Sequence, residues 1–146
     1  MIFIDSDIFL RDLRYPRDKQ TEINKAFLKR VMSKKIKACT SIFNILEVLG
    51  IMSFNLSEDE LLDLYTAFPD HYRIQILFPA DPLGNFDYDI TNILTQIQKK
   101  QSLGDAQVAS VINRFASILD GFVSWNAKHF AGKVDVPVQT PAEFLV

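Results

Sequence analysis

Short apolar runs alternate with longer stretches of helical periodicity along this chain, and that alternation restricts the fold more than any other feature. The runs are Met1-Ile-Phe-Ile4, Ile36 to Thr40, Arg73 to Phe78, Gly121-Phe-Val-Ser124 and a weaker one from Val134 to Val138. Strand patterns separated by amphipathic helices build parallel sheets covered on both faces. The expected class is therefore α/β in three layers, with a mostly parallel central sheet of four to five strands flanked by helices. No internal repeat or linker is visible, and 146 residues suit one domain over 1–146.

The helix signals lie between these runs. Ser6 or Asp7 can cap a short helix over Ile8 to Leu13, and a loop forms around Pro16. Thr21 precedes a pattern with Ile23, Phe27 and Val31 on one face. Thr40 or Ser41 can cap a nearly all-apolar helix through Leu49, close to whose end lies Gly50, and its apolar character predicts burial on most sides. Ser57-Glu-Asp-Glu60 reads as a capping box opening a helix that Pro69 should stop. Phe86 to Ile97 and Ala106 to Phe115 are two further helices, and Pro141 can start a final turn.

Apolar residues make up 48% of the chain, enough for a substantial core. The lone cysteine, Cys39, lies in an apolar run and reads as a buried small hydrophobe. The N-terminus lacks the basic and long apolar regions of a signal peptide, and no stretch reaches the roughly 18 apolar residues of a membrane span. A soluble, cytoplasmic protein without membrane association is expected.

Three acids stand out because their neighbours are apolar. Asp5 follows the first strand run, Glu47 lies among Ile45, Leu46, Val48 and Leu49, and Asp105 sits between Leu103 and Ala106. A buried carboxylate needs a partner. No Arg or Lys adjoins them in sequence, and a hard cation, Mg²⁺ or Mn²⁺, would satisfy carboxylate oxygens. The competing reading makes each acid a separate helix-end residue, and for Asp105 taken alone that is the better one. Ser124 and Asn126 follow a late strand and present short oxygen-bearing side chains. The two histidines, His71 and His129, are not spaced to complete a zinc site.

Charge is unevenly spread. Residues 11–37 carry ten Lys or Arg against three acids, hence +7, and the remaining six cations against fifteen acids give −9. A polyanion-binding face beside an acidic pocket would produce this asymmetry, as would an ordinary solvated helix face. Arg11, Arg14, Arg17 and Lys19 are the candidate contacts to such a polyanion.

Four segments in order resemble the PIN-domain ribonucleases, and among these the VapC-type toxins of toxin–antitoxin pairs. They are Phe3-Ile-Asp5-Ser-Asp7-Ile-Phe-Leu10, Thr40-Ser-Ile-Phe-Asn-Ile-Leu-Glu47, Leu103-Gly-Asp105-Ala and Val123-Ser-Trp-Asn126-Ala-Lys-His-Phe130. The ending, Val136-Pro-Val138 and Thr140-Pro-Ala-Glu-Phe144, is similar too, while 53–100 matches no such motif. The resemblance implies a PIN-like fold, with Asp5, Glu47 and Asp105 as acidic metal ligands and catalytic residues. Ser124 matches a usual Thr or Ser, and Asn126 a catalytic position that is Asp or Asn. Asp7 could supply charge from an outer shell, because neutral Asn126 leaves the site one charge short of members with four acids.

The activity implied is Mg²⁺- or Mn²⁺-dependent hydrolysis of RNA phosphodiesters, with Glu47 orienting or deprotonating the attacking water. A cognate antitoxin, whose Arg would plug the acidic pocket, and a homodimer are the implied protein partners. Aromatic residues around Phe27, Phe43 and Phe54 exceed the evident needs of a small core. One alternative is a catalytically weak PIN-fold module that binds nucleic acid or protein. Another is a phosphatase-like enzyme using the Asp5-x-Asp7 pair, which would need a catalytic Lys and a late acid pair that Asp120-Gly121 does not convincingly supply.

Overall fold

In the computed structural model, which describes residues 1–14 and 16–146, each of the apolar runs contributes a strand to one sheet. The strands are β1 (Ile2–Ile4), β2 (Ala38–Ser41), β3 (Gln75–Leu77), β4 (Gly121–Val123) and β5 (Val138–Gln139). They lie in the order β3-β2-β1-β4-β5, every pair parallel. The helices are α1 (Ser6–Arg14), α2 (Lys19–Met32), α3 (Ile42–Met52), α4 (Glu58–Tyr72), α5 (Ile90–Gln98), α6 (Leu103–Arg114), α7 (Ala127–Phe130) and α8 (Pro141–Leu145).

The pleat of β1 divides the core in two. Ile2 and Ile4 point into a cluster with Ile8, Phe9, Phe27 and Val48, whereas Phe3 points to the other face among Val108, Ile112 and Phe122. All three residues of β1 are buried, as expected of a central strand in a sheet covered on both sides. Cys39 is fully buried on β2, and burial pushes its thiol up to about 12.

Local boundaries moved where tertiary contacts outweighed local pattern. Pro69 does not stop α4; the helix runs on to Tyr72 and ends at Arg73 in the left-handed region, φ 55°. Pro69 sacrifices one helical hydrogen bond, while the extra turn buries Tyr72 against Phe9 and Phe68, with ring centroids 4.8 and 4.9 Å away. The Tyr72 hydroxyl also donates to Asp12 at 2.9 Å. α2 starts ahead of Thr21, at Lys19, with Asp18 as its cap. Phe86 lies outside α5, in an isolated antiparallel bridge with Ala80, and Asp89 caps that helix instead. Ser41 and Ser57 both close capping boxes, as does Thr140 before Pro141.

Candidate metal centre and adjoining cleft

The sheet changes winding direction at β1, with β2 and β3 on one side and β4 and β5 on the other. At such a switch point a crevice opens beyond the carboxyl ends of the strands. Asp5 leaves β1 there, its N–H donating to Val123 O at 3.0 Å, and Ser124 leaves β4 beside it.

Asp5 is only 7% exposed, and its carboxylate is held by polar groups from three elements. Its Oδ1 accepts from the Ser6 N–H at 2.9 Å and from Asn44 Nδ2 at 3.1 Å; its Oδ2 accepts from Ser124 Oγ at 2.7 Å. Asn44 is itself fixed by its box with Ser41, whose hydroxyl donates to Asn44 Oδ1 at 2.5 Å. The Ser6 hydroxyl reaches Glu47 Oε2. Ser124 Oγ also lies 3.1 Å from Asp7 Oδ2, which in turn accepts the Asn126 N–H at 3.1 Å.

A hydroxyl has one proton, so Ser124 cannot donate to Asp5 and Asp7 at once. While both are ionised, one of the two carboxylates goes short of that donor, and among the described residues Asp7 Oδ1 is buried without a partner. Burial, then the neighbouring Asp7 charge, with a smaller push from Glu47, drive the Asp5 carboxyl up to about 8 against the hydrogen bonds of Ser124 and Ser6. Burial likewise raises Asp7, to about 6, opposed by Ser124, the backbone N–H groups of Asn126 and Trp125, and the Arg11 charge. Among the described residues, no Lys, Arg or His forms an ion pair with Asp5, Asp7 or Glu47. A set of hard oxygen donors with surplus negative charge and an orphaned buried oxygen fits Mg²⁺ or Mn²⁺. It does not fit the phosphatase alternative, since among the described residues no lysine pairs with Asp5.

The structure corrects the picture of three equally buried acids. Glu47 is exposed, because α3 buries Ile42, Asn44, Ile45 and Val48 and turns Leu46 and Glu47 outward. Asp105 is half-buried beside exposed Leu103 and Gly104, its N–H capped by Ser102 Oγ and its carboxylate without a hydrogen bond among the described residues. Among those residues no three of Asp, Glu, His and Cys form a metal-holding group. The fold thus gathers Asp5, Asp7, Glu47, Ser124 and Asn126, and leaves Asp105 outside their hydrogen-bond network. His71 packs edge-on against Tyr72, and His129 is exposed on α7.

Beside Asp7 opens a cleft of about 560 Å³ lined by Arg11, Arg14, Gln20, Trp125 and Asn126. Arg17 lies in a neighbouring depression with Lys25, and Lys19 is exposed at the start of α2. Sequence reading took Ser6 only as a possible helix cap and gave no role to Asn44 or Trp125. Ser6 and Asn44 could have been found from a simple signal: each lies in the first turn of a helix, within a turn of a candidate ligand.

No family model and no curated protein matches the chain. Solved structures do. FitAcB from Neisseria gonorrhoeae aligns with TM-score 0.64 at 17% identity, over 97% of this chain and 99% of that one. VapBC2 from Rickettsia felis, bound to a DNA fragment from its promoter, aligns with TM-score 0.63 at 16% identity, over 96% and 98%. The Mycobacterium tuberculosis toxin VapC20, which cleaves the sarcin-ricin loop, aligns with TM-score 0.57 at 12% identity, over 90% and 95%. Likeness at these identities establishes the fold: the chain has the PIN-like, three-layer α/β architecture of the VapC-type structures.

Proposed function

We propose that this protein is an Mg²⁺- or Mn²⁺-dependent endoribonuclease acting as the toxin of a toxin–antitoxin pair in the cytoplasm. The observation that carries the reading is the uncompensated carboxylate cluster at the switch point of the sheet, with Asp5 buried among Asp7, Glu47 and Ser124. The shared fold with VapC20, a toxin that cleaves the sarcin-ricin loop, and with VapBC2 bound to promoter DNA supports it.

Asp5 and Glu47 would hold the cation with Asp105, and Asp7 would add charge from behind. When bound, a divalent cation supplies Lewis-acid polarisation of the phosphate and of water. Asp5 needs no reorientation for its part, because Ser6 and Asn44 already fix its carboxylate. Glu47, open to solvent, takes the proton of the attacking water. The new P–O bond forms to that water as the bond to the leaving ribose oxygen breaks, and that oxygen takes a proton from solvent water to leave as the hydroxyl. The exposed amide of Asn126 positions the phosphate, while the buried Ser124 hydroxyl steadies the Asp5 and Asp7 carboxylates behind it. Of the four basic candidates, Arg14, Arg17 and Lys19 hold the backbone of the RNA, and Arg11 is held by Asp18.

The pair reading brings two partners: an antitoxin whose Arg caps the acids, and a second copy of the chain. Phe54, 89% exposed, and Leu62, 62% exposed, leave apolar surface for such contacts, whereas Phe27 is spent inside the core. Among the described residues no helix is long and apolar enough to cross a membrane.

Cleavage of single-stranded RNA in Mn²⁺ and its loss in chelator test the activity. Failure to cleave any RNA in either metal would sink it. Neutral Asn126 and the separation of Asp105 favour a second reading, a PIN-fold binding module without turnover, which predicts RNA binding but no products.

A further inference from the structure

The cleft beside the acids has features that phosphate binding alone does not account for. Its floor is Trp125, half-buried and fixed by donation of its indole N–H to Asn24 Oδ1 at 2.8 Å. The Arg11 guanidinium lies over that ring, its carbon 5.5 Å from the centroid. Arg11 is already neutralised: its Nη1 donates to both carboxylate oxygens of Asp18 at 2.8 Å, and its Nη2 to Gln20 Oε1 at 2.7 Å. A cation so engaged at its edges has little left for a phosphate, but its flat face remains a stacking surface. Arg14, on the same wall, is exposed and makes no ion pair among the described residues. The Asn126 side-chain amide, on the rim, accepts and donates no hydrogen bond there either.

We infer that this cleft is a single-nucleotide subsite, in which a nucleobase next to the scissile phosphate stacks on the Trp125–Arg11 platform while Arg14 takes the adjoining phosphate. Aromatic rings and guanidinium planes are the surfaces on which unpaired bases stack, at about 1–3 kcal/mol per base. The volume, about 560 Å³, lies in the range of small-ligand sites and accepts one nucleotide. Because Asp7 lines both the cleft and the acid cluster, a base seated here sets its own phosphate at the cluster. Bases inside a duplex cannot reach the platform, so the subsite selects single-stranded or looped RNA. This rests on the ribonuclease reading and adds the requirement that assigns one unpaired base to the site.

Trp125 is the only tryptophan, so its emission reports this cleft alone. Hexauridylate, its duplex with hexaadenylate, and an abasic ribose-phosphate hexamer are titrated into Asp5→Asn protein in Mg²⁺, and into wild type in chelator as a check independent of the substitution. Fluorescein anisotropy measures total binding in parallel. Hexauridylate should change Trp125 emission saturably, and the duplex and abasic oligomers should not. Arg11→Lys keeps the charge but removes the plane; it should weaken hexauridylate about tenfold and leave the abasic oligomer unchanged. Arg14→Ala should weaken both oligomers alike by a few-fold. Binding by anisotropy with silent Trp125 emission, or an Arg11→Lys loss equal for both oligomers, overturns the subsite and leaves the nuclease reading standing. If no RNA binds and wild type cleaves none, both fall.

Discussion

Asp5 and Asp105 occupy comparable places, each at the start of a helix packed on the sheet, yet the fold treats them oppositely. Asp5 is buried and gripped by Ser6, Asn44 and Ser124. Asp105 is half-exposed, and the Ser102 cap serves only its backbone. An acid at a helix N-terminus is favourable by itself. A buried acid crowded by two others is not, and it persists only because the surrounding polar groups hold it there. On the proposed metal-dependent reading, the contrast separates a ligand built into the scaffold from one that joins when charge arrives.

Substitution tests that division most severely. Asp5→Asn should lower RNA cleavage by about a thousandfold or more, several kcal/mol of lost transition-state stabilisation. The same change should raise the melting temperature in chelator, since it removes a charge from a crowded site. Asp105→Asn should also abolish cleavage but leave the chelator melting curve within about 0.5 kcal/mol of wild type. Intact cleavage in Asp105→Asn would make that residue a helix-start acid and nothing more.

Next in size is the support beneath Asp5. Asn44→Ala removes a donor to the buried carboxylate and half of a capping box, and should cost about 1–3 kcal/mol in denaturant unfolding. Ser102→Ala, which strips only the α6 cap, should cost about 1 kcal/mol. Equal losses at the two sites would erase the distinction between them.

Proton linkage sharpens it further. Asp5 and Asp7 titrate near 8 and 6 in the folded chain, against an ordinary 3.8. Carboxyls raised in this way stabilise the fold fully below about 4, and that contribution is lost as pH climbs through 6 and then 8. In chelator, the melting temperature should therefore fall from pH 5 to pH 8. Asp5→Asn should flatten the slope and Asp105→Asn should not. A wild-type curve that rises over this range would contradict the burial of an uncompensated pair.

The smallest effect is expected at Asn126. Its backbone N–H serves Asp7 while its side chain is exposed, so Asn126→Asp should fold normally. It should enlarge the Mn²⁺-induced rise in melting temperature by a few degrees, because a ligand of the native state stabilises in proportion to its affinity. No change, or a smaller rise, would place Asn126 away from the cation.

Most of the scaffold could be read from residues that face one way in every context. The alternation of β1 between Ile2, Ile4 and Phe3, and the Ser57 box, are local patterns that tertiary packing reinforced. Asp5 was legible for the same reason, as an acid placed at the end of a wholly apolar strand. Glu47 misled because sequence neighbours on a helix face different directions; Leu46 beside it is 54% exposed. Pro69 misled because the burial of Tyr72, contributed by α1 far away in sequence, outweighed one lost hydrogen bond. The Trp125–Arg11 platform joins residues more than a hundred positions apart, and no local spacing could reveal it.

Cys39 turns the sheet into its own stopwatch. Its Sγ lies 3.7 Å from Ile2 O, on a strand flanked by β1 and β3, and its thiol resists ionisation. Alkylating reagents attack thiolates, so labelling has to wait for the middle of the sheet to come apart. With no second thiol to confuse the signal, the rate of modification in mild denaturant reads out how often that opening occurs. Fraying of α5 or the chain ends would go unseen, and a cation that clamps the crevice at β1 would slow the clock.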